Sequence, residues 1–148
     1  MFENVTIVIP SYKPDEKLIS TVRGVREAGF SDVVVVDDGG GEKYSEYFKR
    51  VESEFGCTVL THEINRGKGA ALKTAFKYYI ENRPNSVGLV TADADGQHLP
   101  SDMVAVAEQM TSTESIVLDA VISQSLRFRR EVRRATGSPP RSSRRSSE

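Results

Sequence analysis

Short apolar runs of strand length recur along the chain at Val5–Ile9, Val33–Val36, Thr58–Leu60, Val87–Val90 and Ser115–Leu118, each nearly continuous rather than alternating. A strand that is apolar on both faces has to be covered on both faces. That requirement selects a mostly parallel sheet between layers of helix over an antiparallel sheet with one wet face. The segments between the runs supply the layers. Leu18, Ile19, Val22 and Val25 recur with helical period, as do Leu72, Ala75, Phe76, Tyr79 and Ile80, and then Met103, Val106, Ala107 and Met110. The segment around Tyr44–Phe55 is the most polar of the four.

Punctuation agrees with this division. Pro14-Asp15-Glu16 places acidic residues at the positive end of the first helix, Pro100-Ser101-Asp102 opens the fourth, and Gly29 and Gly56 stand where helices end. The fold class expected is α/β: a mostly parallel, Rossmann-like sheet with right-handed crossovers and helices on both faces. Ligands on such sheets bind beyond the carboxyl ends of the strands.

With 148 residues, 38% hydrophobic and 28% charged, the chain is expected to be one soluble domain. No run approaches the roughly 18 apolar residues of a membrane-spanning helix. The single cysteine, Cys57, leaves no internal disulfide, and no basic-then-apolar leader precedes Val5, so the default location is cytoplasmic, with peripheral association at the cytoplasmic membrane face left open.

The net charge of -1 hides an asymmetry: residues 123–148 hold eight arginines and two glutamates, and the body carries twelve basic and nineteen acidic side chains. Residues 1–120 are therefore read as the folded part and 121–148 as an Arg/Ser/Pro-rich tail expected to be disordered. A tail for nucleic acid or anionic lipid is one reading of that segment, and a frame change or truncation in the source sequence is the other.

Four polar clusters follow the strands: Pro10-Ser11-Tyr12-Lys13, Asp37-Asp38-Gly39-Gly40, Asn65-Arg66-Gly67-Lys68-Gly69 and Asp93-Ala94-Asp95-Gly96-Gln97-His98. Asp93 and Asp95, one residue apart, can share a small hard cation, and Gly96 lets the chain bend so that Gln97 adds a neutral oxygen. Mg2+ or Mn2+ suits that oxygen set when substrate phosphates complete it. The plain alternative is a turn at Asp95-Gly96 and a helix cap at Asp93. Asp37-Asp38 can accept hydrogen bonds from a base or ribose, or can be an ordinary strand exit. Gly67-Lys68-Gly69 opens a helix whose free N–H groups favour an anion. It is not a P-loop, and Gly39-Gly40-Gly41 is not a dinucleotide fingerprint, so hydride transfer is disfavoured. His62 and His98 have no partner at ligand spacing, which argues against zinc.

In this order, Ile7-Val8-Ile9-Pro10-Ser11-Tyr12, Val34-Val35-Val36-Asp37-Asp38-Gly39, Asn65-Arg66-Gly67-Lys68-Gly69-Ala70-Ala71 and Thr91-Ala92-Asp93-Ala94-Asp95-Gly96-Gln97-His98 resemble the family 2 inverting glycosyltransferases of GT-A type. The nearest resemblance is to polyprenyl-phosphate sugar transferases of the dolichyl-phosphate mannose synthase kind. It covers roughly residues 4–118, the N-terminal half of such an enzyme.

The resemblance implies a UDP- or GDP-linked sugar as donor and, for an intact relative, a polyprenyl phosphate or glycan as acceptor. Nucleic acid is not an expected partner. Pro10, Tyr12 and Asp37 would line the base and ribose pocket, Lys68 would lie near the base or diphosphate, and Asp93, Asp95 and Gln97 would hold the metal, Asp93 also touching nucleotide. Lys13-Pro14-Asp15 departs from the asparagine and acidic residues of many members. No counterpart of the acceptor half or of its catalytic aspartate is recognisable after Leu118, so no catalytic residue is assigned. Two other functions stay open: a non-catalytic nucleotide-binding fragment, and a sugar nucleotidyltransferase, against which the missing glycine- and arginine-bearing loop after the first strand counts. Stopping after five strands would also leave apolar surface uncovered, with self-association as the expected consequence.

Overall fold

In the computed structural model of the chain, the described residues are 2–95 and 100–112, the side chains of 109–112 excepted. Gln97, His98, the apolar run at 115–118 and the arginine-rich segment lie outside them. The elements in order are β1 (Phe2–Ser11), α1 (Glu16–Glu27), β2 (Phe30–Asp37), a short 3-10 turn (Glu42–Tyr44), α2 (Ser45–Phe55), β3 (Thr58–Thr61), α3 (Lys68–Asn82), β4 (Gly88–Thr91) and α4 (Pro100–Ser112). The most polar of the four segments is α2, a full helix whose Phe48 and Val51 are buried.

All strand pairs are parallel and the sheet order is β3-β2-β1-β4. Alternation explains the continuous apolar runs. Ile7, Ile9, Val33 and Val35 face one core with residues of α1, α2 and α4, whereas Val8, Val34 and Val36 face a second core closed by Ala71 and Ala75 of α3. Helices cover both faces, as the sequence requires.

Helix α1 shows the energetics. Leu18, Ile19, Val22 and Val25 are almost wholly buried, each contributing about 1.5–3 kcal/mol. Asp15 caps the helix by accepting from the Lys17 backbone N–H at 2.9 Å. Its last turn carries Arg26, whose guanidinium donates to the carbonyls of Phe30, Ser31 and Phe55, tying α1 to the start of β2 and the end of α2. Replacing Val22 by Asp would put an unpaired charge into this layer.

Two boundaries differ from the sequence reading. Val87 is half exposed and the fourth strand begins at Gly88. Ala28 is the C-cap of α1, and Gly29 follows it with φ 102°. Gly56 caps α2 in the left-handed conformation, at φ 64° and ψ 29°.

The topology places the ligand end. The chain steps outward through β1, β2 and β3, and α3 then carries it back across the other face to set β4 on the far side of β1. The strand order reverses between β1 and β4, and the crevice at their carboxyl ends is where an α/β sheet of this kind receives its ligand.

Candidate functional site

Asp93 follows β4 at that crevice. Val8 is in register with Thr91, and the Ala92 N–H donates to Val8 O at 2.9 Å, so the chain beyond β4 runs alongside the end of β1. Ala92 and Ala94 pack toward the larger core, and the intervening Asp93 reaches the α3 side, where Lys68 Nζ lies 2.5 Å from its Oδ1. Lys68 is the first residue of α3, and Gly67 precedes it at φ 90°. Two residues from separate clusters, 25 positions apart in sequence, therefore form one charged pair at the mouth of the crevice. Asp95 sits in the turn after Asp93 and is exposed.

The other predicted residues that the structure describes lie at the carboxyl ends of β1 and β2. Pro10 is half-buried in β1, paired with Val36 of β2. Tyr12, just beyond β1, is 49% exposed, with the Lys13 ammonium 5.2 Å from its ring centroid. Asp37 ends β2 opposite Ser11 and is nearly buried, its Oδ1 accepting from the Gly40 N–H at 3.2 Å. That bond is the strand-exit geometry of the plainer reading, and it leaves the second carboxylate oxygen of Asp37 for another donor. Gln97 lies outside the described residues.

Asp38 does something else. Its carboxylate is almost wholly buried and collects three donors: His62 Nδ1 at 2.8 Å, the Arg66 backbone N–H at 3.0 Å and Asn65 Nδ2 at 3.3 Å. His62 Nε2 meets the Thr74 hydroxyl of α3 at 2.7 Å. This buried network ties the end of β2 to the turn that delivers Lys68. Sequence reading assigned no role to His62, Asn65 or Thr74. No local signal could have found them: Asp37 is in register with Thr61, so the next residues, Asp38 and His62, turn together to the other side, and that register is set by the fold.

Asp93 and Asp95 offer two carboxylates, and among the described residues no group of three His, Cys, Asp or Glu side chains gathers as a metal-holding cluster. Two carboxylates fit a magnesium- or manganese-sized ion when substrate phosphates and water complete its octahedron, and would not make an all-protein cage.

At the opposite, amino-terminal end of the sheet a small cavity of about 180 Å³ is lined by Thr6, Asp32, Arg83 and neighbouring residues. Its polar groups are already matched: Arg83 Nε and Nη2 lie 2.9 and 3.1 Å from the two Asp32 oxygens, and the Thr6 hydroxyl donates to Asp32. Burial pushes the Asp32 carboxyl up, but the bonds from Arg83 and Thr6 outweigh it and hold it below the usual range. This is a structural clasp between the sheet and the end of α3.

Among the described residues no helix is long and apolar enough to cross a membrane. Comparison with known proteins places the arrangement. An uncharacterized protein of Methanocaldococcus jannaschii is 34% identical over 106 residues, covering 72% of this chain and 41% of the relative. The undecaprenyl-phosphate mannosyltransferase of Micrococcus luteus is 30% identical, covering 76% and 46%. The UDP-N-acetylglucosamine–dolichyl-phosphate N-acetylglucosaminyltransferase of Methanococcus voltae is 26% identical, covering 70% and 46%. The chain thus spans less than half the length of these relatives. The crystal structure of S. aureus TarS shares the fold, with a TM-score of 0.53 at 17% identity over 72% of this chain and 20% of that one. Glycosyl transferase family 2 matches residues 6–147, nearly the whole sequence, and the chain belongs to that family.

Proposed function

We propose that the chain is the donor-binding part of a glycosyltransferase that takes a UDP- or GDP-linked sugar and transfers it, with inversion, to a polyprenyl phosphate or glycan. The observation that carries this reading is the meeting of Lys68 and Asp93 at the reversal of strand order, with Asp95 in the adjoining turn. Family membership and the names of the M. luteus and M. voltae relatives, both polyprenyl-phosphate sugar transferases, support it.

In this reading Tyr12 and Pro10 flank the base, and Asp37 accepts from base or ribose. Lys68 and the first N–H groups of α3 meet the diphosphate. Asp93, Asp95 and Gln97 hold Mg2+ or Mn2+, which when bound neutralises charge on the departing diphosphate. A phosphate acceptor is already anionic and needs little general-base help, whereas a hydroxyl needs a carboxylate to take its proton; no residue here is assigned that task. Work on a lipid phosphate places the protein peripherally at the cytoplasmic membrane face, and vesicle flotation tests that.

The deciding experiment is calorimetric titration of the full chain with UDP and with GDP, each with and without Mn2+. Binding that needs the cation and falls at least tenfold in Asp93→Asn and Asp95→Asn is expected, and absence of binding of either nucleotide sinks the proposal. A second reading is a module that holds the donor without transferring sugar, since no described residue is assigned as the general base. Release of sugar from the donor by the purified chain separates the two.

A further inference from the structure

Three buried side-chain atoms find no hydrogen-bond partner among the described residues: Ser11 Oγ, Thr21 Oγ1 and Arg26 Nε. Thr21 lies within α1, and Arg26 spends its other guanidinium nitrogens on three carbonyls. Ser11 differs in its place. It is the last residue of β1, at the carboxyl edge where a sheet of this kind receives its ligand, and it is 3% exposed. A buried hydroxyl without a partner costs stability, so folding alone gives no reason for it.

Ser11 stands in register with Asp37, the last residue of β2. Residues paired across neighbouring strands project to the same face, here the face of Ile9 and Val35. Asp37 gives Oδ1 to the Gly40 N–H and keeps Oδ2 for another donor. The sheet edge therefore presents a hydroxyl able to donate beside a carboxylate able to accept.

We propose that Ser11 is a base-selecting residue: its hydroxyl donates to a base carbonyl while Asp37 accepts from the ring N–H next to that carbonyl. The inference rests on the nucleotide-sugar reading, in which Asp37 faces base or ribose and Ser11 has no role. An N–H beside a C=O is the imide edge of uracil and the lactam edge of guanine. Cytosine and adenine present there an unprotonated ring nitrogen, whose lone pair would face the Asp37 carboxylate, and an amino group in place of the carbonyl. A site of buried polar groups rejects a ligand that leaves them unpaired. Entry lies through the turn after β1. Tyr12 there is half exposed, and Lys13 stands at φ 49°, a conformation that residues other than glycine rarely adopt. Opening of that turn gives up no favoured backbone conformation.

The effects of mutation on fold and on binding then have opposite signs. Removing the hydroxyl deletes an unsatisfied buried group, so the empty fold should not weaken, while the base loses a donor. A serine that served only the fold would show the reverse.

The test titrates the full chain calorimetrically with UDP, CDP, GDP and ADP, each with Mn2+, for wild type and Ser11→Ala, and melts both proteins without nucleotide. Wild type should bind UDP or GDP at least about tenfold tighter than the amino counterpart, CDP or ADP. Ser11→Ala should lose about fivefold for the preferred nucleotide, change little for CDP and ADP, and melt no lower than wild type. Unchanged affinity of Ser11→Ala for the preferred nucleotide overturns the inference and leaves the nucleotide-sugar reading standing. So does an equal loss for all four nucleotides, or wild-type binding that does not distinguish them. A variant that melts lower than wild type also overturns it, since the hydroxyl would then be satisfied within the fold by water. Binding of none of the four by wild type sinks the nucleotide-sugar reading, and the inference with it.

Discussion

His62 Nδ1 lies 2.8 Å from Asp38 Oδ1, with both side chains nearly out of reach of solvent. With the carboxylate ionised, Nδ1 donates to it, and in the neutral ring Nε2 accepts from the Thr74 hydroxyl. The same Asp38 oxygen accepts the Arg66 N–H, two residues before Lys68. The position of the charged pair at the crevice is thus set from below by a buried hydrogen-bonded chain.

Replacing His62 by Ala leaves a buried carboxylate short of one donor and opens a cavity beside Thr74. We expect a loss of about 2–3 kcal/mol in denaturant unfolding. Amide exchange at Arg66 should accelerate more than exchange in β1, because the bond that holds the turn is weakened while the sheet remains. Uniform acceleration across the chain would show that His62 supports only global stability.

Much of this was legible in the sequence, and what was not has a physical reason. The parallel sheet, its two covered faces and the four strand-end clusters follow from apolar period and punctuation, which are local. The contacts of Asp38 join residues 24 to 28 positions apart and depend on the β2–β3 register, which no local pattern fixes. The same is true of Lys68 and Asp93. Each was expected at the ligand, but their direct pairing depends on α3 carrying the chain back to the far side of β1.

The Asp32–Arg83 clasp gives an acid-side dependence. The folded Asp32 carboxyl is held below its ordinary value, so its contribution is present in full above the unfolded value of about 4 and is lost as pH falls through the lower folded value. Arg83→Gln should cost on the order of 1 kcal/mol near pH 7, a modest figure because the pair is partly solvated. The difference between wild type and variant should shrink steadily below about pH 4. A difference independent of pH down to pH 2 would mean that the arginine acts through packing on Tyr78, over whose ring its guanidinium stands at 5.3 Å.

Cys57 should be chemically quiet. Burial pushes its thiol up to about 11, against a smaller opposing influence from Arg26. At pH 8 roughly one molecule in a thousand would carry the reactive thiolate. Labelling by a disulfide reagent should therefore be slow in the native protein and should accelerate with denaturant in step with unfolding. Rapid stoichiometric labelling in buffer would show that the end of α2 opens readily.

Gly39 and Gly41 separate two costs that usually come together. Both have positive φ, 75° and 83°, but a Cβ at Gly39 would stand 2.2 Å from the Ile64 carbonyl carbon and 2.3 Å from the Asn65 nitrogen, whereas one at Gly41 would meet nothing within 4 Å. Gly41→Ala should cost about 1–2 kcal/mol, the backbone term alone. Gly39→Ala adds a backbone collision that no rotamer relieves, and we expect at least about 3 kcal/mol from the two together. The collision falls on the turn leading to Lys68, so Gly39→Ala should also weaken any nucleotide affinity that Gly41→Ala leaves intact. Equal melting temperatures for the two variants would show that the Ile64–Asn65 backbone yields, and that the close approach of the β2 and β3 exits does not set the geometry of the crevice.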